Sequence, residues 1–316
     1  MSAALRIGTR ASALALWQAR HVAALLAAQP AAPVVELVHI STSGDLEREV
    51  PLWQVGGRAF FTREIDRALL AGSVDVAVHS LKDLATQLEA GVTLAATLPR
   101  ADPRDALVSR SGAKLTELPR GARIGTSSLR RRAFLARLRP DAALLELRGN
   151  VPTRIERLRR GDYDAIVLAA AGLARLGLEA QVTEYLDAGA FPPAVSQGVI
   201  GVCARAEDAA TLRWVAPLDD AQARIAVTAE RALLRRLEGG CQVPLGALAT
   251  VREGTLTLEV SVCALDGSRY LSARGQAPAA QGEAAALGTR IAEELIKRGA
   301  GELIAHERAA RAVEEP

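Results

Sequence analysis

The segment at residues 237–246 reads Leu-Glu-Gly-Gly-Cys-Gln-Val-Pro-Leu-Gly, and it ends a long helical pattern beside a cysteine. Upstream, residues 219–237 begin with two aspartates that suit a helix cap and continue with apolar residues that recur along one face. The two glycines can take the left-handed conformation that ends a helix, and Pro244 cannot resume it. The pattern therefore predicts a helix that stops just before Cys241 and leaves space beside its thiol.

A lone cysteine has two interpretations. Free cysteine packs as a small hydrophobe, so an inert buried thiol is one of them. A buried thiol does not require two preceding glycines, and this context favours a reactive role for Cys241. Because a helix C-terminus carries negative partial charge, any cations that activate the thiol must come from elsewhere in the fold.

The composition is typical of a soluble globular protein with two or three domains. The 316 residues are 49% hydrophobic and 24% charged, with a formal net charge of +3. No basic segment followed by an apolar run opens the chain, and later apolar runs are too short to span a membrane, so we expect a cytoplasmic protein. The cysteines at 203, 241 and 263 have no CxxC spacing, so we predict neither a metal site nor disulfides.

Positive charge is concentrated in one segment of the chain. Residues 120–160 contain twelve arginines against three acidic residues, a local balance of +9. The planar guanidinium group suits carboxylates and phosphates, so this segment predicts an anion site. Nucleic acid is the alternative ligand, but aromatic residues form only 3% of the chain and no RNA-recognition, zinc-finger or basic-zipper pattern is present.

The four residues Arg-Ile-Gly-Thr occur twice, at 6–9 and at 123–126, each time before a hydroxyl-rich helix start. The helices that follow are predicted at 13–28 and 129–138. Two strand-turn-helix units with the same opening indicate two similar α/β lobes. Each turn also places N–H groups and hydroxyls at a helix N-terminus, which favours an anion.

Prolines divide the chain into predicted domains. The first lobe covers residues 1–99 and is rejoined by about 199–216, the second lobe covers 100–198, and a small α+β domain covers 217–316. The chain crosses between the lobes at 99–103 and again near 191–193. Two crossings create a cleft that can open and close.

A candidate chemical carboxylate follows the predicted strand at residues 74–78. Ligands collect at the carboxyl ends of strands in open parallel sheets, and Asp83 comes directly after this strand. Asp83 could instead cap the next segment as a structural residue.

The run at residues 230–246 closely resembles the cofactor-attachment signature of the porphobilinogen deaminase (hydroxymethylbilane synthase) family. The resemblance extends over nearly the whole chain, through segments 6–12, 78–84, 124–131, 148–154, 168–177 and 197–198. It implies an α/β fold of three domains, in which two lobes like type II periplasmic binding proteins enclose a cleft and a small α+β C-terminal domain carries the cysteine. It also implies a dipyrromethane cofactor held by a thioether to Cys241.

Enzymes of this family join four porphobilinogen molecules head to tail, release ammonia at each step and free the linear tetrapyrrole hydroxymethylbilane by hydrolysis. The resemblance implies that Asp83 is the catalytic aspartate. Loss of ammonia from an aminomethylpyrrole leaves a cationic azafulvene, which a nearby carboxylate stabilises. A thiol captures the same kind of electrophile, which explains the cysteine.

Each pyrrole carries an acetate and a propionate, so the growing chain is a polyanion that arginines can hold. By resemblance, the residues that hold cofactor carboxylates are Lys82, Thr126, Ser128, Arg130, Arg131 and Arg154. Those that bind substrate or intermediates are Arg10, Ser12, Arg148 and Arg175, with Phe61 packing on rings from a lid and Gln197 contacting from the hinge.

Three positions depart from the family pattern. Ala59 and Ala85 stand where glycine and proline are common, which alters loop stiffness. Cys203 stands where glutamate is common. This change puts an interdomain ion pair in doubt and provides a second thiol to exclude as the attachment point.

A non-catalytic anion-binding protein built on the same two lobes is the main alternative function. Such a protein needs no covalent pigment, and its periplasmic versions carry a signal peptide, which we do not detect in this sequence. We expect porphobilinogen as the partner, without nucleic acid or membrane. No heptad pattern is present, so we also expect a monomer.

Overall fold

The strands of the protein form three separate sheets. The computed structural model describes residues 4–42, 62–237 and 243–313, with side chains as far as residue 306. Cys241, its two preceding glycines, Ala59 and Phe61 lie outside the described residues. The strands are β1 (Leu5–Thr9), β2 (Val35–His39), β3 (Val76–Ser80), β4 (Val92–Thr97), β5 (Asp105–Ser109), β6 (Arg123–Gly125), β7 (Ala143–Leu145), β8 (Ala165–Ala169), β9 (Glu184–Tyr185), β10 (Ile200–Arg205), β11 (Leu245–Arg252), β12 (Thr255–Cys263) and β13 (Tyr270–Pro278).

Helices connect the strands and cover the sheets. Among the described residues, no helix is both long enough and apolar enough to cross a membrane. The helices are α1 (Ala13–Ala27), α2 (Arg63–Leu70), α3 (Leu129–Leu138), α4 (Val151–Arg159), α5 (Ala170–Arg175), α6 (Ala209–Val215), α7 (Ala221–Arg236), α8 (Gln281–Lys297) and α9 (Ala300–Val313).

The first two sheets have the same strand arrangement. Their orders are β2-β1-β3-β10-β4 and β7-β6-β8-β5-β9. In each sheet the strand that carries Arg-Ile-Gly is parallel to both of its neighbours. The fourth strand, β10 or β5, is antiparallel to both of its neighbours. The predicted pair of similar α/β lobes is confirmed by this arrangement, while the residue limits of the domains stay a prediction.

The third sheet, β11-β12-β13, is antiparallel and packs against α7 and α8. Along β12, every second side chain from Leu256 to Val262 is buried against these helices. Helix α7 begins at the predicted cap, where the Ala223 N–H donates to Asp220 Oδ1 at 2.7 Å. Helix α8 ends just before Gly299, and α9 follows directly after that glycine.

Two strands near the first crossing were absent from the sequence-based prediction. Strand β5 begins with a charged residue, Asp105, which hydrophobic patterning does not recognise as the start of a buried strand. Strand β4 lies next to β10, which is far from it in sequence, so only the tertiary pairing reveals it.

Candidate functional site

The two crossings between the lobes lie against each other. The Ala101 N–H donates to the Gly198 carbonyl at 3.2 Å, and the Gln197 side chain donates to the Pro103 carbonyl at 2.8 Å. Gly198 has φ +91°, and a Cβ there would lie 2.6 Å from the Ala101 carbonyl oxygen. Only glycine fits this contact, which holds the two crossing segments together at the base of the cleft.

A buried carboxylate lies at the end of the first crossing. Asp105 is fully buried, while Arg130 and Arg131 are 4% and 6% exposed. Arg131 donates to Asp105 Oδ1 from Nε at 3.1 Å and from Nη2 at 2.7 Å. Arg130 Nη1 lies 2.7 Å from Asp105 Oδ2. Gln197 Nε2 donates to Asp105 Oδ1 at 3.0 Å, so one carboxylate links both arginines to the second crossing.

Helix α3 fixes the two arginines. Ser128 caps the helix by accepting from the Arg131 N–H at 3.4 Å, and the Ser128 N–H donates to Thr126 Oγ1 at 3.2 Å. The guanidiniums also donate to the backbone, Arg130 to Pro192 at 2.8 Å and Arg131 to Val167 at 2.9 Å.

The charges in this cluster depend on one another. Burial alone would raise the pKa of Asp105, but the neighbouring Arg130 and Arg131 charges outweigh it and hold this pKa well below its usual range. Burial lowers the pKa of Arg130, and the Asp105 charge opposes that shift. Both arginines are therefore held in contact with their counter-ion.

Lys82 and Asp83 lie on the short turn Leu81–Asp83 that follows β3. Lys82 is half-buried and donates to Gln197 Oε1 at 3.2 Å, whereas Asp83 is exposed. Burial lowers the pKa of Lys82 to about 8, against the opposing charges of Asp83 and Asp105. The turn therefore connects the first lobe to the buried cluster and presents the Asp83 carboxylate to solvent.

On the second lobe, Arg154 lies in the first turn of α4 and donates from Nε to the Gly149 carbonyl at 2.7 Å. Burial, together with the charges of Arg131 and Arg148, lowers the pKa of Arg154 to about 10, and the charges of Glu146 and Asp83 oppose this shift. Arg148 is half-buried.

A second group of predicted residues lies around α1. Ser12 caps this helix by accepting from the Ala15 N–H at 3.3 Å. From the other lobe, Arg175 donates to the Gly198 carbonyl at 2.6 Å and lies 6.0 Å from the centre of the Trp17 ring. Burial lowers the pKa of Arg175 to about 10. Arg175 thus contacts both the second crossing and the first lobe.

Arg10, which follows β1, is half-buried beside a histidine that the sequence analysis did not select. His79 is buried in β3, and burial together with the Arg10 charge lowers its pKa to about 4. His79 is therefore neutral at physiological pH.

Glu230 of α7 attaches the third domain to the crossings. This fully buried carboxylate lies 2.8 Å from Arg100 Nη1. It also accepts from the Ser196 N–H at 2.6 Å and from the Ala249 N–H at 2.7 Å. One side chain therefore links both crossings to the helix that precedes Cys241.

Comparisons with known proteins agree over almost the full length of the chain. Residues 5–213 match the model of the porphobilinogen deaminase dipyrromethane cofactor-binding domain, and residues 224–297 match the model of the C-terminal domain of the same enzyme. The chain belongs to the porphobilinogen deaminase family. The curated porphobilinogen deaminase of Syntrophotalea carbinolica is 51% identical over 96% of both chains. That of Roseiflexus castenholzii is 51% identical over 96% of this chain and all of its own.

Solved structures give a weaker likeness. The periplasmic sulfonate-binding protein of Methylobacillus flagellatus is 15% identical and covers 75% of this chain and 68% of its own, with a TM-score of 0.39. The α/β fold of this porphobilinogen deaminase family member is instead established by its own sheets and by the match to the family models.

The described residues suit a ligand with several carboxylates, as expected for a dipyrromethane cofactor-binding domain. Lys82, Arg130 and Arg131 surround the single charge of Asp105, which leaves the cluster positive. Within the described ranges, Arg130 Nε is buried and makes no hydrogen bond. The site therefore retains positive charge that a ligand carboxylate can balance.

Two of the three cysteines are unsuited to hold a cofactor. Cys203 is fully buried, and burial raises its pKa to about 12. Cys263 is also buried and donates to the Ala133 carbonyl at 3.6 Å. Cys203 cannot form the interdomain ion pair that a glutamate would make. Helix α7 nevertheless contacts the first lobe, because Arg231 donates to the Leu84 carbonyl at 3.1 Å.

The structure brings together Lys82, Gln197, Arg130 and Arg131 around Asp105, and it places Arg10, Ser12 and Arg175 around α1. Arg154 lies apart from Asp105, bonded to the Gly149 carbonyl. The roles of all these residues toward a ligand stay predictions. Asp105, Trp17 and His79 were not among the residues predicted from the sequence. The one available signal for Asp105 was an aspartate directly after the proline-rich crossing, beside a strongly basic segment.

Proposed function

We propose that the chain joins four porphobilinogen molecules head to tail on a dipyrromethane attached to Cys241, and then releases hydroxymethylbilane by hydrolysis. One ammonia leaves at each addition. The observation that carries this proposal is an exposed carboxylate, Asp83, on the same short turn as Lys82. Through Gln197, this turn is connected to the buried cluster of Arg130 and Arg131 around Asp105.

Asp83 is the proposed catalytic residue. Loss of ammonia makes the substrate methylene positive, and an exposed carboxylate on a short turn can approach that carbon and oppose its charge. The same carboxylate can accept the proton that the attacked pyrrole carbon loses when the new carbon–carbon bond forms. At release, water supplies the hydroxyl group of the product.

Cys241 is the proposed attachment point. Its sulfur would form a carbon–sulfur bond to a substrate-derived methylene while the amine leaves as ammonia. The inert environments of Cys203 and Cys263 support this choice. When bound, the dipyrromethane supplies the primer to which substrate units are joined.

The basic side chains have the proposed role of holding carboxylates. A charge-assisted hydrogen bond in a buried site contributes about 1.5–3 kcal/mol, so several of them hold a flexible polyanion firmly. The Ser12 and Ser128 hydroxyls accept helix N–H bonds and keep their own O–H to donate to a carboxylate. The proposed cofactor-binding residues are Lys82, Thr126, Ser128, Arg130, Arg131 and Arg154. The proposed substrate-binding residues are Arg10, Ser12, Arg148 and Arg175, with ring packing by Phe61 and a hinge contact by Gln197.

We also propose that the enzyme works as a cytoplasmic monomer with porphobilinogen as its only partner, without nucleic acid or membrane. The proposed domains are 1–99 with 199–216, 100–198, and 217–316. The sheet membership of β10 and β11 supports these limits. Size-exclusion chromatography with light scattering tests the monomer, and a dimer mass would refute it.

Intact mass tests the central proposal. The purified chain should carry the mass of two pyrrole units, should gain further units with porphobilinogen and should release ammonia. Cys241→Ser should fold and lack the two-unit increment, whereas Cys203→Ser should retain it as the matched control. An increment that persists in Cys241→Ser, or incubation without any ammonia release, would refute the proposal.

A further inference from the structure

Asp105 is a buried carboxylate that the proposed chemistry does not use. It lies at the start of β5, has no exposed surface and binds two guanidiniums and one amide. Arg131 approaches one carboxylate oxygen at 2.7 Å and Arg130 approaches the other at 2.7 Å. Two adjacent cations are therefore joined through a single anion.

The two arginines depend on this anion. Guanidinium groups stay protonated when buried, so they cannot avoid their mutual repulsion by losing a proton. Removing one partner from a buried ion pair leaves an uncompensated charge, which is strongly destabilising. Lys82 adds a third cation through Gln197, which donates to Asp105 at 3.0 Å.

A ligand with several carboxylates supplies the same kind of charge. Among the described residues, the buried Arg130 Nε makes no hydrogen bond, so the cluster does not satisfy all of its own donors. The cluster therefore has one resident anion and is electrostatically suited to accept more from outside.

We propose that Asp105 is a positioning residue, the resident counter-ion that keeps Arg130 and Arg131 folded into the cleft before any ligand carboxylate arrives. This inference rests on the proposed function, because it assigns these arginines to cofactor carboxylates. The proposal distinguishes Asp105 from an ordinary structural residue. The Asp105 charge should contribute most to stability when the cofactor is absent, and less once ligand carboxylates also neutralise the two arginines.

The test compares Asp105→Asn in two states of the full chain. In a Cys241→Ser background, which cannot be loaded, the substitution should lower Tm by roughly 10 °C. In the loaded chain the same substitution should lower Tm by less than about half as much. Asp102→Asn is the matched control, because Asp102 pairs with Arg104 in the same crossing at 2.7 Å but is partly exposed. Its effect should be small and equal in both states.

Glutarate provides a second readout that does not depend on activity. This dicarboxylate should raise the Tm of the unloaded Asp105→Asn chain by several degrees, and more than it raises the Tm of the unloaded parent. Equal shifts with glutarate would overturn the proposal. Equal losses of Tm in the loaded and unloaded states would also overturn it, because they would show an ordinary structural role.

If Asp105→Asn is too unstable to load, Asp105→Glu keeps the carboxylate at altered geometry. This variant should load and should lower Tm by less than Asp105→Asn does. Its loss of Tm should again be larger in the unloaded chain than in the loaded chain, and a larger loss in the loaded chain would contradict the proposal. Intact mass separates the two hypotheses. A parent chain without the two-unit increment refutes the proposed function, while the glutarate comparison still decides the role of Asp105.

Discussion

The two lobes contain the same four residues and pair the arginine of that segment with an aspartate in the same way. In the first lobe, the Arg6 backbone and guanidinium both donate to Asp75, and the Asp75 N–H donates to the Arg6 carbonyl at 2.8 Å. In the second lobe, the Arg123 backbone and guanidinium both donate to Asp164, and the Asp164 N–H donates to the Arg123 carbonyl at 2.8 Å. The repeated segment therefore makes the same pairing with a distant aspartate, 69 residues away in the first lobe and 41 in the second.

The lobes differ in the charges that they place beside these turns. After β3 the first lobe carries Asp83, whereas after β8 the second lobe continues with alanines and a glycine. After the capping serine, the second lobe carries Arg130 and Arg131, whereas α1 begins with apolar residues. One scaffold thus carries the candidate catalytic carboxylate beside Lys82 on the first lobe and a buried pair of arginines on the second. This division suits a substrate with anionic side chains and a reacting carbon that becomes positive.

The largest expected effect tests the carboxylate side of this comparison. Asp83→Asn should keep the two-unit mass increment but lose turnover by roughly 10²–10⁴-fold, because the amide cannot oppose the developing positive charge or accept a proton. Glu146→Gln is the matched control, since Glu146 is an exposed second-lobe carboxylate that also influences Arg154. Turnover measured as ammonia release should fall by less than about threefold in the control. Similar losses in both variants would refute the division of roles.

The next effect separates the paired arginines from those of the shared turns. Arg131→Gln should lower Tm by roughly 5–10 °C, because it leaves Asp105 buried with one guanidinium fewer. Arg6→Gln and Arg123→Gln, at side chains 38% and 43% exposed, should each change Tm by less than about 3 °C. Thermal unfolding measures all three changes. A loss at Arg123 as large as that at Arg131 would show that the turn, and not the cluster, carries the stability.

The smallest effect concerns pH and the Lys82 side chain. With a pKa of about 8, Lys82 loses its charge as the pH rises through 8, while its unfolded-state pKa stays near 10.5. Between these values the folded chain holds fewer protons than the unfolded chain, so the Lys82 contribution to stability rises with pH, whereas its attraction for carboxylates falls. Because Lys82 is proposed to hold a cofactor carboxylate, turnover of porphobilinogen should fall a few-fold between pH 7 and 9, and Lys82→Arg should flatten this fall. A fall that persists unchanged in Lys82→Arg would assign the titration to another group.

Local patterns predicted much of the fold. The repeated Arg-Ile-Gly-Thr segment indicated two lobes, and both capping serines lie where the hydroxyl-rich helix starts were predicted. Helix α3 has its predicted bounds, and α1 ends one residue before its predicted end. These features depend on bonds between residues close in sequence, so the sequence displays them directly.

Features that depend on distant pairing were harder to predict. Cys203 is a candidate thiol in the sequence, and only its position opposite Ala77 in the middle of a sheet makes it inert. The aspartate that opens β5 follows the proline-rich crossing, but its neighbours in sequence do not indicate that it is buried. It becomes the centre of a charged cluster because α3 and the second crossing fold against it.

The sequence by itself determined the family, the duplicated turn and the residue types of the site, because each of these is written in short contiguous segments. Only the tertiary structure decided that Arg130 and Arg131 share a buried counter-ion and that Gln197 connects this counter-ion to Lys82. The physical reason is that burial and electrostatic interactions act here between residues that are tens of positions apart in the chain. These interactions form only once the lobes have packed.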